Sequence, residues 1–273
     1  MSLTVEPYDA HQILTPGAGY LREYDYSLNP YVGCSFGCSY CYAAFFAPFD
    51  KQASWGDWVR VKQNAALKLS RIRRSLASKT IYLSSATDPY QPIERRLELT
   101  RSLLPILAEK GAWLVVQTRS PLVTRDIDLL RRFDKVCVNF SITTDSEDVR
   151  RAFEPRNPPI RDRLDAAATV AAAGVPVAIT MTPLLPIADP DGFASQVAET
   201  GARRFAIDQF ADTSGHFRAG TGESARCLAD DLAWDSDRYQ FASAVITDRL
   251  APNIRAGIAG FSPDYLLSNP SPR

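Results

Sequence analysis

Net charge is what this sequence most plainly lacks. Its 273 residues carry 31 Lys and Arg against 31 Asp and Glu, a formal net charge of zero. The whole molecule therefore exerts no long-range pull on nucleic acid or an anionic membrane, although a local basic groove stays open. A membrane-spanning run is missing as well. The nearest approach, residues 165–181, is interrupted by Gly174 and Pro176. The opening MSLTVEPYDA is polar and has no apolar stretch of the secretion-signal kind. A soluble, cytoplasmic chain with no membrane partner is the expectation. Cysteine is scarce and odd in number: five in all, which argues against a disulfide framework. Three of the five crowd together as Cys34, Cys38 and Cys41, pointing to metal or catalysis. Cys137 lies in the apolar run KVCVNF and reads as core packing, while Cys227 has no clear reading.

What is present is a repeated alternation of apolar, β-branched runs with helical patterns. Residues 80–85 read as a strand, and 97–111 as a helix ending at Gly111, a common stop signal. Strands over 112–120, 135–145, 175–183 and 203–210 follow, with helices over 124–133, 161–173 and 193–200 between them. Residues 26–33 form a candidate first strand and 59–77 its helix. Near-continuous apolar strands joined by helices imply a parallel sheet covered on both faces. The fold class expected is α/β, a partial (β/α)6 TIM-like barrel, with an open doubly wound sheet as the rival. An N-terminal segment (1–25), the core (26–210) and a C-terminal extension closing the open side (211–273) make up the expected organisation. The tail after Gly260, rich in Ser and Pro, is expected to fray.

Polar groups stand just past most strand ends: Thr87 and Asp88, Arg119, Ser141 and Thr143, Asp208 and Gln209. Parallel α/β folds carry their chemistry on that rim. Turn and N-cap roles are the alternative for each of them.

The segment NPYVGCSFGCSYCYA holds the spacing C-x3-C-x2-C. Thiolates are soft ligands suited to iron–sulfur clusters or zinc. Gly33 and Gly37 let the loop turn sharply around a bulky group. A structural zinc site wants four ligands, and His11 and His216 are both distant in sequence. A four-iron cluster held by three thiolates keeps one iron open. A zinc site completed from afar, or a plain electron-transfer cluster, is the non-catalytic alternative.

With Tyr40 before the last cysteine, this motif resembles that of the radical S-adenosylmethionine (SAM) superfamily, C-x3-C-x-aromatic-C. The resemblance extends through VRVKQNAALKL, SSATDPYQPIE, LVVQTRSPLVTRDIDLL, VNFSITTD, AFEPRNPP and MTPLLPI to the spore photoproduct lyase-like (DNA repair photolyase-like) family. It implies a [4Fe–4S] cluster on Cys34, Cys38 and Cys41, and SAM on the open iron. It also implies reductive cleavage of SAM to a 5′-deoxyadenosyl radical that abstracts a substrate hydrogen. By the same resemblance, Thr87 and Asp88 sit near the cofactor's methionine end. Arg119, where the family often has Lys, pairs with its carboxylate; Ser141 bonds the same group, and Tyr40 lies near the adenine. One departure matters. The family's namesake has a hydrogen-donating cysteine in the stretch matching SSATD, where this chain has Ser85. An O–H bond is far stronger than S–H, so repair of the spore photoproduct is not expected.

Two substrate classes stay open, a DNA lesion and a peptide or small molecule. The basic pairs Arg73–Arg74, Arg95–Arg96, Arg131–Arg132, Arg150–Arg151 and Arg203–Arg204 read mainly as solvated helix faces. Phe217, Trp234, Tyr239 and Phe241 are candidates to shape a substrate pocket or to join the core. The chemistry calls for a reducing partner such as flavodoxin or ferredoxin.

Overall fold

The computed structural model describes residues 3–210 and 222–268. Its strands are β1 (Thr4–Tyr8), β2 (Leu14–Pro16), β3 (Tyr26–Leu28), β4 (Tyr31–Val32), β5 (Trp58–Lys62) and β6 (Thr80–Leu83). They continue with β7 (Trp113–Thr118), β8 (Val136–Ser141), β9 (Val177–Met181), β10 (Arg204–Ile207) and β11 (Ile254–Ala256). One sheet has the order β11-β10-β9-β8-β7-β6-β3-β2. Every pairing from β3 to β11 is parallel, and β2 adds antiparallel at the edge. The α/β partial barrel is therefore present and open, with β2 and β11 as its edges.

The two faces of the sheet separate cleanly. Leu83, Val116, Val138 and Ile179 belong to the large core shared with the helices Leu99–Glu109, Ile160–Ala172 and Pro190–Glu199. Their strand neighbours Tyr82, Val115, Cys137 and Ala178 point to the opposite, inner face. Side chains alternate across a strand, so each strand feeds both cores. Cys137 is 1% exposed there, the core position expected of it.

Three expectations are corrected. Residues 59–77 are not one helix. WVRVK forms β5, parallel to β1 and antiparallel to β4, and only Ala65–Ser70 is helical. The two valines favour extended backbone, and β1 offers a strand to pair with. Residues 203–210 are not the last strand either. The helix Ser236–Leu250 packs on Pro190–Glu199 and returns the chain as β11, a seventh parallel strand that lengthens the sheet edge. The tail, as far as Ser268, does not fray. The helix Pro263–Leu266 buries Tyr265, Leu266 and Leu267 against the inner face, and the Tyr265 phenol donates to Phe205 O at 3.1 Å. Trp234 is buried, with its indole N–H on Leu184 O, whereas Phe241 is 67% exposed. Phe217 and His216 lie outside the described residues.

Candidate active site

The cysteine loop leaves β4 and lies at the carboxyl ends of β6, β7 and β8. Gly33 and Gly37 both take positive φ, +82° and +59°. A Cβ on Gly33 would stand 2.7 Å from both the ring and the carbonyl oxygen of Trp58. Gly33→Ala is expected to cost about 1–3 kcal/mol from backbone strain alone, with the clash adding to it. A denaturation midpoint equal to wild type would contradict this.

Loops from three strands then hold the cysteines. Thr87 Oγ1 donates to Gly33 O at 2.6 Å, and Gln91, fully buried, supports both ends of that brace. Its amide donates to Thr87 Oγ1 at 3.1 Å, and its oxygen accepts Ser35 N at 2.9 Å. Asp88 is 4% exposed and accepts from Tyr90 N, Thr118 Oγ1 and Arg119 N at 2.8–2.9 Å. It thereby locks the loop after β6 to the end of β7 and sets the direction in which Arg119 leaves.

Arg119 reaches the cysteines. Its Nη1 lies 3.0 Å from Cys38 Sγ, 2.9 Å from the Tyr40 hydroxyl and 3.0 Å from Glu154 Oε1. Glu154 has no exposed side-chain surface. It accepts from the Tyr40 phenol and from Thr143 Oγ1, and pairs with Arg163 at 2.6 Å. Burial by itself would raise the Glu154 carboxyl, yet Arg163 and Arg119 hold it down at about 2. The buried Arg163 and the partly buried Arg119 thus share one carboxylate, and one positive charge is left over beside Cys38. Ser141 Oγ accepts from Gln117 at 2.7 Å and joins an inner-face row with Asn139 and Thr180.

The thiols suit a metal cluster. Burial pushes Cys34 well above the usual thiol range and Cys41 up to about 11; it also raises Cys38, with Arg119 opposing. Without metal they keep their protons at neutral pH, and ligation releases them. Cys38 Sγ meets two N–H groups, from Arg119 and from Asn157 Nδ2 at 3.3 Å, the arrangement an anionic sulfur favours. In the same loop the buried hydroxyls of Ser35 and Ser39 have no partner among the described residues. Soft donors on one loop, a cation beside them and unpaired polar atoms in the same loop fit a thiolate-held iron–sulfur group.

The Radical SAM superfamily family model matches residues 28–193. The chain belongs to the radical SAM superfamily. Its cofactors are accordingly a [4Fe–4S] cluster and SAM. An uncharacterised protein of Methanocaldococcus jannaschii is 34% identical over 171 residues, 63% of this chain and 62% of its own length. A radical SAM Nalpha-GlyT isomerase of Pseudomonas phage M6 is 27% identical over 160 residues, 58% of this chain and 33% of that protein. This chain thus matches less than two thirds of the length of either relative. Spore photoproduct lyase has the same fold. One solved form superposes with TM-score 0.62 at 17% identity, covering 93% of this chain and 81% of that one.

The radical SAM motif and the strand ends were visible in the sequence, and the structure brings Tyr40, Thr87, Asp88 and Arg119 around the cysteine loop, with Ser141 at the end of β8. Gln91, Glu154 and Asn157 were missed. All three lie inside segments that carried the family resemblance, SSATDPYQPIE and AFEPRNPP. Polar residues held within such segments were the available signal. Arg150 corrects the reading of the basic pairs as solvated. It is 7% exposed and donates to Glu147 and to the carbonyls of Glu154 and Asn157.

Proposed function

We propose that this chain reductively cleaves SAM and uses the resulting 5′-deoxyadenosyl radical to abstract a substrate hydrogen. The observation that carries this reading is the three-thiol loop at the strand ends, with Cys34 and Cys38 buried and a compensating arginine on Cys38. Cys34, Cys38 and Cys41 would hold the cluster, three thiolates for four irons. When bound, the cluster and SAM supply the radical chemistry; the protein orients the reactants and excludes water.

Arg119 and Ser141 are assigned to the cofactor's carboxylate. Thr87 and Asp88 act through the loop they brace at the methionine end. Tyr40 has its hydroxyl engaged by Glu154, so its contact to adenine is assigned to the ring. The reductant is a flavodoxin or ferredoxin, and the compartment is the cytoplasm. In support, none of the five cysteines is in a disulfide, and no helix among the described residues is long and apolar enough to cross a membrane.

Ser85, whose Oγ accepts from Asn29 Nδ2 at 3.3 Å, is a poor hydrogen-atom donor, which sets the reaction apart from spore photoproduct repair. The row of Gln117, Asn139, Ser141 and Thr180 suits a substrate with hydrogen-bonding groups near the attacked C–H. Anaerobic reconstitution with iron and sulfide, followed by dithionite and SAM, is expected to yield 5′-deoxyadenosine. A colourless protein with one tightly held zinc would point to the non-catalytic alternative. If DNA is the substrate, binding falls steeply with salt; a salt-independent interaction favours the peptide or small-molecule class.

A further inference from the structure

The segment AFEPRNPP closes the helix Glu147–Phe153 and is tied at four points to the cysteine loop and to Gly56–Asp57. Phe153 O accepts Ser39 N at 2.9 Å, and Glu154 holds Tyr40 and Arg119. Arg156 donates to Gly56 O and pairs with Asp57 at 2.5 Å. The fourth point is Asn157 on Cys38 Sγ, and it differs in kind, because its partner is a metal ligand.

We propose that Asn157 is a positioning residue for the cluster, whose amide N–H on Cys38 Sγ raises the cluster's reduction potential. The proposal rests on the cluster reading above. Asn157 is 5% exposed, and its backbone is fixed at both ends. Its N–H donates to Glu154 O at 3.0 Å, and its carbonyl accepts from Arg150 Nη1 at 3.0 Å. Pro158 follows and restricts it further. The side chain is therefore aimed before any metal binds. Its Oδ1 is buried with no partner among the described residues. A residue kept for packing alone would satisfy both ends of its amide; here only the end facing sulfur is used.

Cys38 also receives two side-chain donors, Arg119 and Asn157. Arg119 divides its charge between the sulfur and Glu154, whereas the Asn157 N–H is committed to the sulfur. Reduction adds negative charge to the cluster and its thiolates. An N–H donor on a ligating sulfur favours the reduced state, and a buried setting strengthens the effect.

The test is a redox titration of the reconstituted full chain, followed by electron paramagnetic resonance, with iron counted in each sample. Asn157→Leu keeps the volume and removes the donor. It should lower the reduction equilibrium constant about tenfold, a shift of about 59 mV for one electron. Asn157→Asp, nearly isosteric, replaces the donor with a carboxylate and should lower it further. Unchanged potentials with full iron content in both variants overturn the proposal. So does loss of the cluster from both, because a tuning residue leaves assembly intact. If Asn157→Leu alone fails to load, Asn157→Asp decides. A wild-type protein that shows no four-iron signal would instead sink the cluster reading itself.

Discussion

Cys38→Ala protein, reconstituted anaerobically with iron and sulfide, is expected to form no 5′-deoxyadenosine above a protein-free control. Cys34→Ala and Cys41→Ala should behave alike, but Cys38 carries the strongest physical argument. Its sulfur sits beside Arg119, the guanidinium that must share Glu154 with Arg163. Alanine there removes a proposed iron ligand and strips the Arg119–Arg163–Glu154 group of its sulfur neighbour. Holo-protein absorbance and iron content should fall together with cleavage. Cleavage at the wild-type rate would overturn the ligand assignment.

Glu154→Gln is expected to destabilise the fold by about 3–5 kcal/mol, the usual result of removing one partner from a buried ion pair. Arg163 is 1% exposed, and without the carboxylate it loses its ion-pair partner. Glutamine accepts hydrogen bonds but brings no charge. The pH dependence provides a second readout. The carboxyl is held at about 2 in the folded chain against an ordinary 4.5. Because the folded value is the lower one, its stabilisation is complete above about 4.5. It is lost as pH falls through that window toward about 2, and amounts to about 3 kcal/mol. Denaturation measured across pH 2–6 should therefore show an acid-sensitive component in wild type that Glu154→Gln lacks. Parallel pH profiles, or a variant as stable as wild type at pH 7, would refute this account of the charge group.

Much of the fold was legible because parallel α/β architecture is written in runs of five to ten residues. The strand patterns around Leu83, Val116, Val138 and Ile179 and the glycine stops at Gly111 and Gly174 are local signals. Strand β11 carried no such signal. Ile254–Ala256 is three residues long, with two of them exposed, and becomes a strand through the edge that β10 presents. The docked tail was hidden for a related reason. FSPDYLLS looks like a fraying end until Tyr265 finds Phe205, 60 residues away in the chain, and Asn253, 12 away.

The same division runs through the site. By itself the sequence put three thiols on one loop, because three cysteines within eight residues must share it whatever surrounds them, and their spacing carried the likeness to the radical SAM superfamily. It also placed Thr87, Asp88 and Arg119 on the functional rim, since strand ends can be counted along the chain. Only the tertiary structure decided the electrostatics. Cys38 meets Arg119 across 81 residues and Asn157 across 119, and Arg119 meets Glu154 across 35. Those distances close only when β7, β8 and the helix after β8 assemble. A buried charge is tolerable only among partners that no local pattern can supply.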